Sequence, residues 1–139
     1  MSRTAEIRLT VDLDEQNVPA QILWEASEAK DSGPKSCRSM MLSLWDGDRK
    51  TIAAIDLWVK EMTIDDMNLF FYQQIHQMAD TYQRATQNTD LSKSIHEFGE
   101  RFGGSAGLES NGSANGARQK KPLIDLVSLA ENNQSGSAE

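Results

Sequence analysis

From Ser39 to Met62 the chain alternates. Met40, Leu42 and Leu44 interleave with Met41, Ser43 and Trp45; beyond Asp46-Gly47-Asp48, Ala53, Ile55, Leu57 and Val59 interleave with Ala54, Asp56, Trp58 and Lys60. Alternation of this length marks strands with two distinguishable faces, and two such strands around a short polar break read as a β-hairpin. Parity restricts the register. Even positions of the first strand meet odd positions of the second only across an even-numbered loop, either Gly47-Asp48 or Gly47 to Lys50. Gly47 is the residue expected to take the positive φ of the turn. One face is wholly apolar (Met40, Leu42, Leu44, Ile55, Leu57) and is expected to be core. The other carries Met41, Trp45, Ile52 and Trp58 among polar residues.

Two further strands precede the hairpin. Ile7, Leu9, Val11 and Leu13 alternate with Arg8, Thr10 and Asp12; after a turn-rich loop from Asp14 to Pro19, Ile22, Trp24 and Ala26 alternate with Gln21 and Glu25. A polar connection from Glu28 to Lys35, broken at Gly33-Pro34, leads into the hairpin. Four consecutive strands with short connections predict an antiparallel meander.

The period then changes to 3.6. Thr63 with Asp66 resembles a capping box, and Asp65 and Asp66 suit the positive end of a helix dipole. Met67, Phe71, Ile75, Met78 and Tyr82 form an apolar stripe of a helix expected to run to about Ala85. Asn88-Thr89-Asp90 offers a new N-cap. Leu91, Ile95, Phe98 and Phe102 mark a second helix, which Gly103-Gly104 is expected to end. The predicted fold is α+β: a four-stranded antiparallel sheet followed by two helices packed on one face, within residues 1–104. Residues 105–121 are rich in Gly, Ser and Asn and read as a flexible, disordered linker. Residues 122–139 form a tail with a short apolar segment, in which Leu123, Ile124, Leu126 and Val127 are a candidate docking motif for this domain or for a partner.

Composition narrows the function. The 139 residues carry a net charge of −7, which disfavours nucleic acid or an anionic membrane as the main partner. The single cysteine, Cys37, excludes an internal disulfide. The first residues, MSRTAEIRLT, contain no apolar stretch of the kind a secretory signal needs, and no run is long enough to span a bilayer. A cytoplasmic protein is expected. His76 and His96 lack neighbours at metal-ligand spacing and read as surface or boundary residues, with no metal or cofactor expected. Lys35 and Arg38 beside Cys37 could lower its pKa, but no histidine base adjoins it, and a half-exposed thiol is the favoured reading. The glycines of FGERFGGSAG follow a helix rather than a strand, so they are not a phosphate-binding loop. No catalytic constellation is visible, and a non-enzymatic role is expected.

The tryptophans remain. Two helices can cover one face of a four-stranded sheet, not both, so Met41, Trp45, Ile52 and Trp58 are expected to form a partner-binding patch. The alternative is that both faces are covered and the rings are ordinary core.

Several ordered segments resemble one family. EIRLTVDLDE, VPAQILWEAS, MMLSLWD, IDLWVKEM and MADTYQRAT together resemble the gliding motility-associated protein GldC of Bacteroidetes, over about Ala5 to Phe102. The resemblance implies an accessory protein of the gliding and type IX secretion apparatus, with motility or secretion components as partners and no catalytic residues. The element order is also similar to that of the export chaperone SecB, which implies a chaperone-like use of an apolar sheet face or a homo-oligomer. A structural homo-oligomer without a foreign client and a small-molecule-binding domain are the alternatives.

Overall fold

The computed structural model describes residues 2–31 and 33–108. The chain divides between Met62 and Thr63 into a unit of strands and a unit of helices.

The strand unit holds five strands: β1 (Ile7–Leu13), β2 (Pro19–Ala26), β3 (Lys35–Cys37), β4 (Ser39–Asp46) and β5 (Thr51–Trp58). They form two antiparallel sheets, β1-β2-β3 and β4-β5, rather than the single four-stranded sheet expected from the sequence. The reason lies in β3. Its three residues, Lys35-Ser36-Cys37, are too few and too polar to show an alternation. They nevertheless take the second edge of β2, with Ile22 opposite Cys37 and Trp24 opposite Lys35. With β1 on its other edge, β2 has no edge left for the hairpin. Ile22, flanked on both sides, has no exposure. Lys35 also places its ammonium 4.9 Å from the Trp24 ring centroid, a cation–π contact that ties the short strand to its neighbour. The Val59 N–H donates to the Arg38 carbonyl at 2.8 Å, extending the β4–β5 ladder by one step where the chain leaves β3.

The hairpin has the longer of the two loops that parity allowed. Asp46 pairs with Thr51 and Met40 with Leu57, leaving Gly47 to Lys50 as the loop. The Asp46 carboxylate accepts from the N–H groups of Asp48 and Arg49, and the Lys50 N–H closes onto the Asp46 carbonyl at 2.9 Å. The left-handed residue is Lys50, at φ 52°, rather than Gly47.

The β1–β2 loop is built on Asp14. One carboxylate oxygen accepts from the N–H groups of Gln16 at 2.8 Å and Val18 at 3.0 Å, while the other meets Lys60 Nζ at 3.1 Å. These bonds, the Val18 N–H first, hold the Asp14 carboxyl below its usual pKa, because they favour the ionised form.

The helix unit is a hairpin of α1 (Ile64–Thr86) and α2 (Thr89–Ser105). Thr63 caps α1 through its hydroxyl, which accepts from the Asp66 N–H, and Asn88 caps α2 by accepting from the Leu91 N–H. Gln87, left-handed at φ 60°, closes α1. Gly103 and Gly104 do not end α2. The helix continues to Ser105 and closes with the Leu108 and Gly107 N–H groups on the carbonyls of Gly103 and Gly104, a Schellman arrangement with Gly107 at φ 78°. The rest of the expected linker, and the tail motif Leu123, Ile124, Leu126 and Val127, lie outside the described residues.

Asp14→Asn tests the loop. A depressed carboxyl pKa stabilises the fold above the unfolded value and loses its effect as pH falls through the folded one. The variant is expected to melt below the wild type at pH 7, with the gap closing on acidification towards pH 3; thermal melts followed by circular dichroism check this.

Candidate interaction site

Antiparallel pairing sets residues directly opposite one another on one face. Trp45 stands opposite Ile52, Met41 opposite Asp56 and Trp58 opposite Ser39. The register therefore gathers Met41, Trp45, Ile52 and Trp58 on a single face, with the two indoles towards opposite ends of the hairpin. All four are open to solvent: Trp45 by 67%, Ile52 by 59%, Trp58 by 54% and Met41 by 43%. Together they expose several hundred Å² of apolar side chain, on the order of the largest patches that monomers carry. The opposite face, expected to be core, is only partly so. Met40, Leu42 and Leu57 are half-buried, whereas Leu44 and Ile55 remain exposed. The hairpin is open on one face and half-covered on the other, and a two-stranded sheet is marginal by itself.

A second arrangement lies in the helix hairpin, and it corrects the reading of His76, whereas His96 is the partly exposed boundary residue expected. His76 is not a surface residue: it is 3% exposed and stacks on His96 with ring centroids 4.9 Å apart. Their Nδ1 atoms are 2.6 Å apart, within hydrogen-bond reach, with the donor and acceptor roles set by the tautomer each ring takes. Each outer nitrogen faces a carboxylate. His76 Nε2 is 3.4 Å from Glu100 and His96 Nε2 is 3.0 Å from Asp80. Tyr72 adds its hydroxyl, 3.5 Å from Glu100, and packs edge-on against His76.

Small residues make room for these rings. The seam is Tyr72, His76 and Ala79 on α1 against Ser92, Gly99 and Gly103 on α2, all buried. A Cβ at Gly99 would sit 2.8 Å from His76 Nε2, and one at Gly103 2.8 Å from the Tyr72 ring. The Ser92 hydroxyl donates to the Ala79 carbonyl at 2.9 Å. The apolar stripes lie elsewhere, about 100° around each helix from the seam. In an antiparallel pair the same offset brings both stripes to one side of the hairpin. Phe71, Met78, Leu91 and Phe98 on that side are exposed.

The histidine pair had a signal in the sequence. Tyr72, His76, Ala79 and Gln83 are spaced 4-3-4, and so are Ser92, His96, Gly99 and Gly103. A search for apolar stripes passes over a seam of small and polar residues. Among the described residues no group of histidine, cysteine, aspartate and glutamate is placed to hold a metal. Burial raises the Cys37 thiol pKa, opposed only by its hydrogen bond with the Ser39 backbone; Lys35 and Arg38 do not activate it.

Two small antiparallel sheets and a capped helix hairpin define an α+β protein with one open apolar sheet face. The family model for gliding motility-associated protein GldC-like matches residues 19–107. The chain belongs to this family. No curated protein and no solved structure matches it, so the likeness to SecB has no structural neighbour behind it. Among the described residues no helix is long and apolar enough to cross a membrane.

Gly99→Ala tests the seam. Alanine gains up to ~1 kcal/mol in helix propensity, but it must displace a ring held by His96 and Glu100. A net loss of about 1–3 kcal/mol is expected, read by denaturant unfolding. An equal or higher stability would show that the seam has slack.

Proposed function

We propose that this chain is a non-enzymatic accessory protein of the gliding motility and type IX secretion apparatus. It acts in the cytoplasm by binding other proteins through the outer face of the β4–β5 hairpin. Membership of the family supplies the association with motility. The exposed patch of Met41, Trp45, Ile52 and Trp58 supports the mode of action. Exposed indoles flanked by an aliphatic and a thioether side chain are the composition of interface hot spots. The chemistry suits an apolar segment of a client or an assembly component, and a chaperone-like hold on unfolded chain is one form it would take.

A second reading is a structural homo-oligomer with no foreign client. The openness of one face of the hairpin, with Leu44 and Ile55 exposed on the other, favours it, because a two-stranded sheet so poorly covered gains most from a partner that is always present.

The double variant Trp45→Ala/Trp58→Ala tests both readings. Truncation of a hot-spot tryptophan costs ~2 kcal/mol or more, so capture of gliding and secretion components in pull-downs is expected to weaken by about 30-fold or more, with circular dichroism unchanged. If capture is lost while the mass by size exclusion stays fixed, the patch serves a foreign protein; if the mass falls as well, it serves self-association. Unchanged capture and unchanged mass together would show that the patch is not an interface.

A further inference from the structure

Strand β1 is an edge strand. It pairs with β2 on one side, and no described strand pairs with its other side. The Ser27 N–H donates to the Glu6 carbonyl at 3.0 Å. Glu6 therefore turns its backbone towards β2, and by alternation so do Arg8, Thr10 and Asp12. The N–H and C=O groups of Ile7, Leu9, Val11 and Leu13 then point along the free edge. The side chains of Ile7, Leu9 and Leu13 are also left open, by 55%, 39% and 55%. An unprotected apolar edge of this kind recruits another strand.

The geometry points to a second copy of this chain as that strand's owner: β1 pairs antiparallel with β1 of its partner across a two-fold axis centred on Thr10, joining two three-stranded sheets into one. The sequence of β1, Ile-Arg-Leu-Thr-Val-Asp-Leu, is its own complement. Laid antiparallel on itself about Thr10, Ile7 meets Leu13, Leu9 meets Val11, and Arg8 meets Asp12. The two-fold axis repeats each contact. Residues with outward backbone groups oppose one another, as a ladder requires, and the Leu9–Val11 pairs exchange backbone hydrogen bonds. The charges select this register. A shift of two residues one way sets Arg8 against Thr10 and Glu6 against Asp12; the other way it sets Asp12 against Thr10 and Arg8 against Asp14, whose carboxylate is already engaged by Lys60 and the Gln16 and Val18 N–H groups; a parallel pairing sets like charges together. Opposite charges directly across two strands stabilise their pairing, and like charges oppose it. Among the described residues of one chain Arg8 has loose partners, Glu25 at 3.8 Å and Glu6 at 4.0 Å, and its side chain is 69% exposed. A foreign strand has no reason to carry this two-way signature; a second copy always does. The family match begins at Pro19, so the signature rests on this chain's own residues, and the inference does not depend on what the β4–β5 patch binds.

The test is the mass of the full chain by analytical ultracentrifugation, with charge swaps at exposed positions. Wild type is expected to dimerise. Arg8→Asp and Asp12→Arg, each alone, set like charges against each other twice and are expected to weaken the dimer by at least ~10-fold. The two single variants mixed together are expected to form a heterodimer, and the double swap to recover the wild-type affinity. In a Cys37→Ser background, Thr10→Cys is expected to give a disulfide-linked dimer on oxidation, because directly opposed residues of a non-hydrogen-bonded pair lie about 4.5 Å apart, within disulfide reach. A full chain that stays monomeric, a dimer indifferent to either single swap, or a double swap that fails to recover affinity would each overturn the proposal. Failure here leaves the Trp45/Trp58 reading standing, since that reading is measured by partner capture.

Discussion

Ile22 lies between β1 and β3 with no exposure, and it is the largest side chain among the described residues to be hidden so completely. Among the described residues the other buried apolar side chains are Ala26, Val59, Tyr72 and Ala79. Full burial of a large apolar side chain contributes roughly 1.5–3 kcal/mol, and this chain has few places to gain it. Its aromatic and aliphatic side chains exceed the interior available to them. Leu44, Trp45, Ile52, Ile55 and Trp58 are left in water on the hairpin, and Phe71, Met78, Leu91 and Phe98 on the helices. The shortage explains why capping, turn chemistry and polar contacts recur throughout the fold. Asp14, Asp46, Thr63 and Asn88 each close a loop or helix end with side-chain hydrogen bonds.

The helix hairpin shows a different use of the interior. Gly99, Gly103, Ala79 and Ser92 let the two helices approach closely enough for His76, His96 and Tyr72 to lie between them. A buried polar pair of this kind is costly unless each nitrogen finds a partner. Asp80 lies at hydrogen-bond distance from His96 Nε2, and the Glu100 carboxylate stands 3.4 Å from His76 Nε2. Such a seam specifies alignment more than it adds stability: a slip along either helix would set a ring against a residue with a Cβ. The apolar stripes are thereby left free on a common side of the hairpin.

Much of this was legible in residue order. Alternation located β1, β2 and the β4–β5 hairpin, and parity limited its loop to two lengths, one of which is present. The caps at Thr63 and Asn88 were readable because a hydroxyl or amide oxygen placed before a helical period has one obvious use. The separation into two sheets was not readable. It depends on β3, three polar residues whose strand character comes wholly from the neighbour they pair with. The histidine pair was missed for a related reason: His76 and His96 lie twenty residues apart, and only the closeness permitted by Gly99 brings them into contact.

The sequence by itself determined where β1, β2, the β4–β5 hairpin and the starts of both helices lie, which side chains share a strand face, and that β1 complements itself, since these follow from periods of 2 and 3.6 and from local capping. Tertiary structure alone decided which strand edges were taken and which side of each helix was closed. Those outcomes depend on competition between distant segments for the same hydrogen-bonding edge or the same narrow seam, and no local pattern records the winner.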